Sequence, residues 1–167
     1  MKKFAIVLAT ARCTVLGSLL AWSGMSPARA QETAPHFVNP TSLAKPTGFT
    51  QVVVAADGRT VYIAGQVAFD STGRVVGAGD FAAQADQVYG NLRRALASVG
   101  GSMSDIVRTT TYITDVRNVA PLRETRVRYL DPTHPPANSL ILLPALSRPD
   151  LLLEIEATAI LRQPYRP

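Results

Sequence analysis

Glu154 and Glu156 stand two residues apart near the C-terminus, within the run Leu151 to Leu161. At the two-residue period of a strand, Leu151, Leu153, Ile155, Ala157 and Ala159 point one way. Leu152, Glu154, Glu156, Thr158 and Ile160 point the other way, so both carboxylates share a face with apolar neighbours at each end. That pattern fits a half-exposed strand with solvated glutamates. It also fits a carboxylate set against partly apolar surroundings, which is how a poised acid or base is made. Arg123 and Arg126 are three apart in a helical pattern and share a second face. Metal chemistry has little to work with. His36 and His134 are the only histidines and Cys13 is the only cysteine. A zinc site needs three or four such ligands at close spacing, and none have it. Gly77-Ala78-Gly79 is a loose glycine turn rather than a phosphate-binding loop. The residues therefore offer no metal-site spacing and no phosphate-binding loop.

The charge balance removes a further class. Seventeen Lys and Arg against twelve Asp and Glu give a net charge of +5 over 167 residues. Lys2, Lys3, Arg12 and Arg29 all fall in the first thirty residues, which hold no acid. The remainder carries 13 basic and 12 acidic residues, a net of +1. Nucleic-acid binders concentrate positive charge on the folded domain to neutralise phosphates, so this balance argues against such a partner. The leading lysines, the apolar stretch over 4–22 and Ala28-Arg29-Ala30 together have the form of a secretory leader. Cleavage after Ala30 is expected, which predicts a periplasmic or secreted chain of 137 residues with no membrane contact after processing. That mature chain has no cysteine and forms no disulfide.

These residues need elements to position them. Residues 31–47 are polar and punctuated by Pro35, Pro40 and Pro46, which predicts an extended or disordered lead-in. Valines over 49–55 suit a strand. Asp57-Gly58 then signals a hairpin turn into a second strand over 60–69. Gly65 within that strand marks a bulge or a close backbone approach. Asp80 is a good N-cap for a helix whose apolar residues (Phe81, Ala85, Val88, Leu92, Leu96) recur at helical spacing until Gly100-Gly101 stops it. A strand over 106–113, a helix over 118–130 with Pro121 in its first turn, and strands over 139–143 and 151–161 complete the order β-β-α-β-α-β-β. The predicted class is α+β: one domain over 48–163, a mixed sheet with two helices on one face. Two helices cover one side of a sheet only. The apolar residues assigned to the other side call for a second copy, so self-association is expected.

Several segments resemble, in order, the Rid family of reactive intermediate deaminases, also called YjgF-like proteins. Val61-Tyr62-Ile63-Ala64-Gly65-Gln66-Val67 is similar to the family strand ending in S-G-Q. Gln84 and Asn91-Leu92 match its Q-x(6)-N-[LIV] helix. Residues 106–115 resemble its V-x-x-T-x-[FY]-[IVL]-x-D strand, and Leu153-Glu154-Ile155-Glu156-Ala157-Thr158-Ala159 its E-I-E-A-I-A terminus. The likeness runs over residues 49–162.

The resemblance implies a homotrimer with a central barrel-like core and a ligand cleft at each subunit interface. It implies hydrolysis of small enamines or imines, such as 2-aminoacrylate, to a 2-keto acid and ammonia, without a cofactor. Glu154 takes the place of the glutamate that positions the attacking water, and Gly65 that of the pocket glycine. Phe49 stands where the family has a tyrosine and lacks its hydroxyl. The P-A-R-S motif, whose arginine clamps the substrate carboxylate, is Pro136-Ala137-Asn138-Ser139 here. Asn138 is neutral and cannot form the two-pronged charged pair of a guanidinium. The substrate-binding set implied is therefore Asn138, Ser139, Gly65 and Phe49, with Arg123 a candidate to replace the lost charge. Three functions stay open: an imine or enamine deaminase of shifted specificity, a non-catalytic small-molecule binder using the same cleft, and a structural protein. A ribonuclease activity attached to some relatives finds no support in a net charge of +1.

Overall fold

The computed structural model describes residues 34–162, so the expected leader and the expected cut after Ala30 lie outside the described residues. Three-residue strands β1 (His36–Val38) and β2 (Val52–Val54) pair antiparallel as a separate ribbon. The main sheet is built from β3 (Arg59–Gln66), β4 (Ile106–Ile113), β5 (Ala137–Leu142) and β6 (Leu153–Leu161) in the order β3-β6-β4-β5. β4 and β5 run parallel, and the other pairings are antiparallel. Helices α1 (Phe81–Ala97) and α2 (Val119–Arg126) complete an α+β domain with a mixed sheet.

Within the lead-in, residues 36–38 are extended and form β1. One expectation needs correction here. The Asp57-Gly58 turn does not make a hairpin within the main sheet. β2 pairs with β1 instead, and Gly58 has none of the positive φ that a tight two-residue hairpin turn requires. Thr50 bridges Ala137 at the β5 edge, its amide donating to the Pro136 carbonyl at 3.2 Å. The chain then continues from there to begin β3 at the opposite edge of the sheet.

The α1 prediction stands on its caps. The Asp80 carboxylate accepts from the Ala83 amide at 3.1 Å, and Gly100 takes φ +78 just past the helix end. Its stripe Ala85, Val88, Leu92 and Leu96 is fully buried against Leu153, Ile155, Ala157 and Ala159 of β6. Truncating such a residue, Leu92→Ala for example, costs ~2–5 kcal/mol through lost transfer energy and the cavity left behind.

The motif residues of α1 are polar staples. Gln84, wholly buried, donates to the Gly77 and Asp150 carbonyls and accepts from the Leu152 amide at 2.9 Å. Asn91 donates to the Val67 and Phe69 carbonyls at 2.9 and 3.0 Å. These bonds tie the helix to the segments entering β6 and leaving β3, and so fix where Glu154 and Gly65 sit.

The face away from the helices is less apolar than the sequence pattern implies. It carries Thr60, Tyr62, Ala64, Arg108, Thr110, Tyr112, Glu154, Glu156, Thr158 and Ile160, with Tyr62 82% exposed. The large exposed apolar side chains of the sheet lie on edge strand β5: Leu140, Ile141 and Leu142. These three residues alternate between the two faces of β5 and all are exposed, and the outer edge of the strand leaves a row of backbone N–H and C=O groups unpaired. Among the described residues, no helix is long and apolar enough to cross a membrane.

Candidate functional site

Glu154 enters its position from the strand alternation already described: Leu153 and Ile155 are buried against α1, which turns Glu154 to the open face. β3 meets it through an irregularity. Ile63 pairs with Ala157 and Gln66 with Ile155, so β3 carries one residue more than β6 over this stretch. The bulge brings the Gly65 backbone onto the Glu154 side chain. A Cβ at Gly65 would lie 2.6 Å from Glu154 Cδ, and closer still to Oε1. Only glycine leaves the carboxylate where it is.

Tyr112 pairs across β4 and β6 with Glu154, and Thr110 with Glu156, on the same face. Desolvation, then the Glu156 and Glu154 charges, push the Tyr112 phenol above its usual range, with Arg108 opposing. This phenol, which the sequence analysis missed, stands opposite Glu154 in the register and hydrogen-bonds Glu156. The period-two pattern of residues 106–113 contains it, because Thr109, Thr111 and Ile113 are buried and Tyr112 must then face outward. An open hollow of about 480 Å³ lies on this face, lined by Tyr62, Arg108, Thr110 and Glu156 among others.

Asn138 lies elsewhere. It is opposite Thr109 on β5, and its carbonyl oxygen accepts from the hydroxyls of Thr109 and Thr111 at 2.9 and 3.1 Å. Both threonines are buried on the helix-facing side. Asn138 is thus two strands from Glu154, about 10 Å across the sheet, level with Ala157 rather than with Glu154, and on the other face. Ser139, opposite Thr110, faces the open side. Phe49 is half-buried next to Thr50, at the start of β5. Arg123 is exposed on α2. One protomer therefore joins Gly65 to Glu154, and Phe49 to the Asn138 strand, without joining the two groups. Among the described residues, no three His, Cys, Asp or Glu side chains gather as metal ligands.

The family profile described as Endoribonuclease L-PSP matches residues 40–161, which takes in both groups. The chain belongs to this family, that of the Rid and YjgF proteins. Its Rid-family likeness extends to solved structures. The chain is similar to a conserved Rid family protein of unknown function from Yersinia pestis, at 38% identity over 76% of this chain and 98% of that one, with a TM-score of 0.68. RidA from an Antarctic Psychrobacter is 33% identical, covers 71% of this chain and 92% of its own, and superimposes with a TM-score of 0.57. A RutC family protein of Synechocystis is 32% identical over 117 residues, 70% of this chain and 88% of its own length. Membership in the Rid family supports a role in processing small molecules.

Proposed function

We propose that the protein hydrolyses small imines, enamines or related carbonyl metabolites, with a specificity shifted from that of Rid relatives that carry the arginine clamp. The observation that carries this is the seat of Glu154 against Gly65. A carboxylate set against a backbone wall, on the face it shares with Tyr112 and Glu156, is placed to accept a proton from water as the water attacks an electrophilic carbon. Attack gives a tetrahedral carbinolamine, and its collapse releases ammonia and leaves the carbonyl product.

Asn138 supports the shift in specificity. Its oxygen is occupied by two threonine hydroxyls, so its amide N–H groups are what it has to offer a ligand. These are neutral donors, suited to a carbonyl or amide oxygen rather than to clamping a carboxylate. The separation of Glu154 from Asn138 supports a cleft completed by a second protomer, in keeping with the homotrimeric habit of the family. The exposed Leu140-Ile141-Leu142 edge is apolar surface that such an assembly would bury. Light scattering should then give a mass near three protomers. We place this chemistry outside the cytoplasm, on the strength of the leader, and N-terminal sequencing of exported material should begin at Gln31.

The deciding assay measures 2-keto product and ammonia from a panel of amino-acid-derived imines, with Glu154→Ala beside the wild type. Turnover that disappears in Glu154→Ala supports the enzyme. Saturable ligand binding with no turnover by either form would replace it with the non-catalytic binder.

A further inference from the structure

The geometry points to a second site: the hollow of about 480 Å³ over Thr158, on the open face of the sheet, binds a free α-amino acid, with Arg108 on its carboxylate and Glu156 on its ammonium group. Thr158 lies four residues along β6 from Glu154, about 13 Å at the rise of a strand, so the inference does not depend on the chemistry proposed there.

Strand register sets the walls. Tyr62 of β3 and Arg108 of β4 both pair with Thr158, one from each side, which puts their Cα atoms about 10 Å apart across it. Glu156 stands two residues further along β6, about 7 Å away on the same face, opposite Thr110. Arg108 reaches this face through a bulge. Ile106 pairs with Ala159 and Arg108 with Thr158, so β4 carries one residue more than β6 there. In an unbroken ladder Arg108 would fall opposite Ala157 and point to the buried side. The extra residue, Val107, re-aims it into the open.

The charges suit a molecule that carries both signs. Arg74, Arg117, Arg128 and Arg148 pair with carboxylates at the surface. Arg108 and Glu156 line one hollow, yet neither forms an ion pair among the described residues. The Tyr112 phenol hydrogen-bonds Glu156 and leaves the carboxylate room for further donors. A plain anion drawn to Arg108 would meet the Glu156 charge, and a plain cation drawn to Glu156 would meet Arg108. An α-amino acid answers both, whereas a singly charged competitor leaves one of them unpaired. The Thr110 and Thr158 hydroxyls add donors and acceptors, and the Tyr62 ring and Ala64 give apolar wall for a short side chain. At the ~30 Å³ that a water occupies in the liquid, the hollow holds about sixteen waters, room for a small amino acid and the water around it.

The test titrates the full chain with L-alanine, and with propionate and ethylamine, each of which keeps one of its two charges, by calorimetry and by the arginine Nε–H signals of ¹⁵N-labelled protein. Saturable alanine binding at least tenfold tighter than either control, with a shift of the Arg108 signal, is expected. Arg108→Gln and Glu156→Gln should each weaken alanine at least tenfold, and Arg74→Gln should match the wild type. Glu154→Ala should also bind alanine as the wild type does. Loss of alanine binding in folded Glu154→Ala would place the amino acid at Glu154 and overturn this site. Alanine binding retained by a protein that hydrolyses no imine would instead keep this site and remove the hydrolase. Should either charge variant not fold, the discrimination by wild-type protein and the Arg108 signal still decide the matter. No binding, alanine no tighter than propionate, or unchanged binding in folded Arg108→Gln would overturn the proposal.

Discussion

Gly65 and Glu154 occupy one volume between them: the space a side chain would take at position 65 holds the carboxyl group of residue 154. The atoms in the way are the far end of a flexible side chain, so the clash is relieved by moving Glu154 rather than the sheet. Gly65→Ala should therefore change stability little while displacing the carboxylate. A misplacement on the order of 1 Å costs about 100-fold in rate when geometry is critical. Thermal melts of Gly65→Ala beside imine-hydrolysis rates check this. A large loss of stability with the rate retained would show that Gly65 serves the fold and not the site.

Asn138→Ala should destabilise the protein, because two buried threonine hydroxyls lose their shared acceptor. Each buried polar group left unpaired costs ~1–3 kcal/mol. Asn138→Asp keeps an acceptor oxygen and should lose less. Asn138→Arg removes the acceptor and supplies the charged fork, so it should gain some 2-aminoacrylate hydrolysis at the expense of stability. Denaturant midpoints and enamine turnover, measured on the same samples, test both halves of the trade.

Gln84→Leu should be among the most damaging single changes in α1, although leucine is a good helix former. It strands the Asp150 carbonyl and the Leu152 amide just ahead of β6. At ~1–3 kcal/mol per group, a loss of at least ~2 kcal/mol is expected in urea unfolding. Gln84→Glu retains one acceptor but cannot donate to Asp150, so it should rescue only part.

Acid should weaken the fold in a window set by Asp131. Hydrogen bonds from the Thr133 hydroxyl and amide, and a smaller contribution from His134, hold its carboxyl down to about 2. A carboxyl depressed in the folded state stabilises above its unfolded pKa of ~3.9, and that contribution disappears as pH falls toward 2. Melting temperature should drop across this range, and Asp131→Asn should flatten the drop while lowering stability at neutral pH. An unchanged slope in the variant would assign the acid sensitivity to other carboxylates, of which Asp70, Asp115 and Asp150 are similarly depressed.

What the sequence alone determined follows from short-range physics. The period of α1, its Asp80 cap and the glycines after it are properties of neighbouring residues, and the helix forms where they say. The alternation in β6 likewise separates Glu154 from Leu153 and Ile155 without reference to any other strand. Gly65, as a glycine within a strand, already implied a bulge or a close approach, and the structure contains both.

Tertiary structure alone decided what depends on which strands become neighbours. That β2 pairs with β1 rather than β3 is a choice between partners of similar local pattern, and the edge contact of Thr50 with Ala137 accompanies it. That Asn138 faces the threonines, two strands from Glu154 and on the opposite side, follows from the order β3-β6-β4-β5, which no local spacing encodes. The motif residues lie in one line along the chain, yet a single protomer divides them between two faces. Arg126 drew notice in the sequence only as a companion of Arg123. Its guanidinium lies close to the backbone of Gly48, 78 residues away in the chain, an approach that no local spacing encodes.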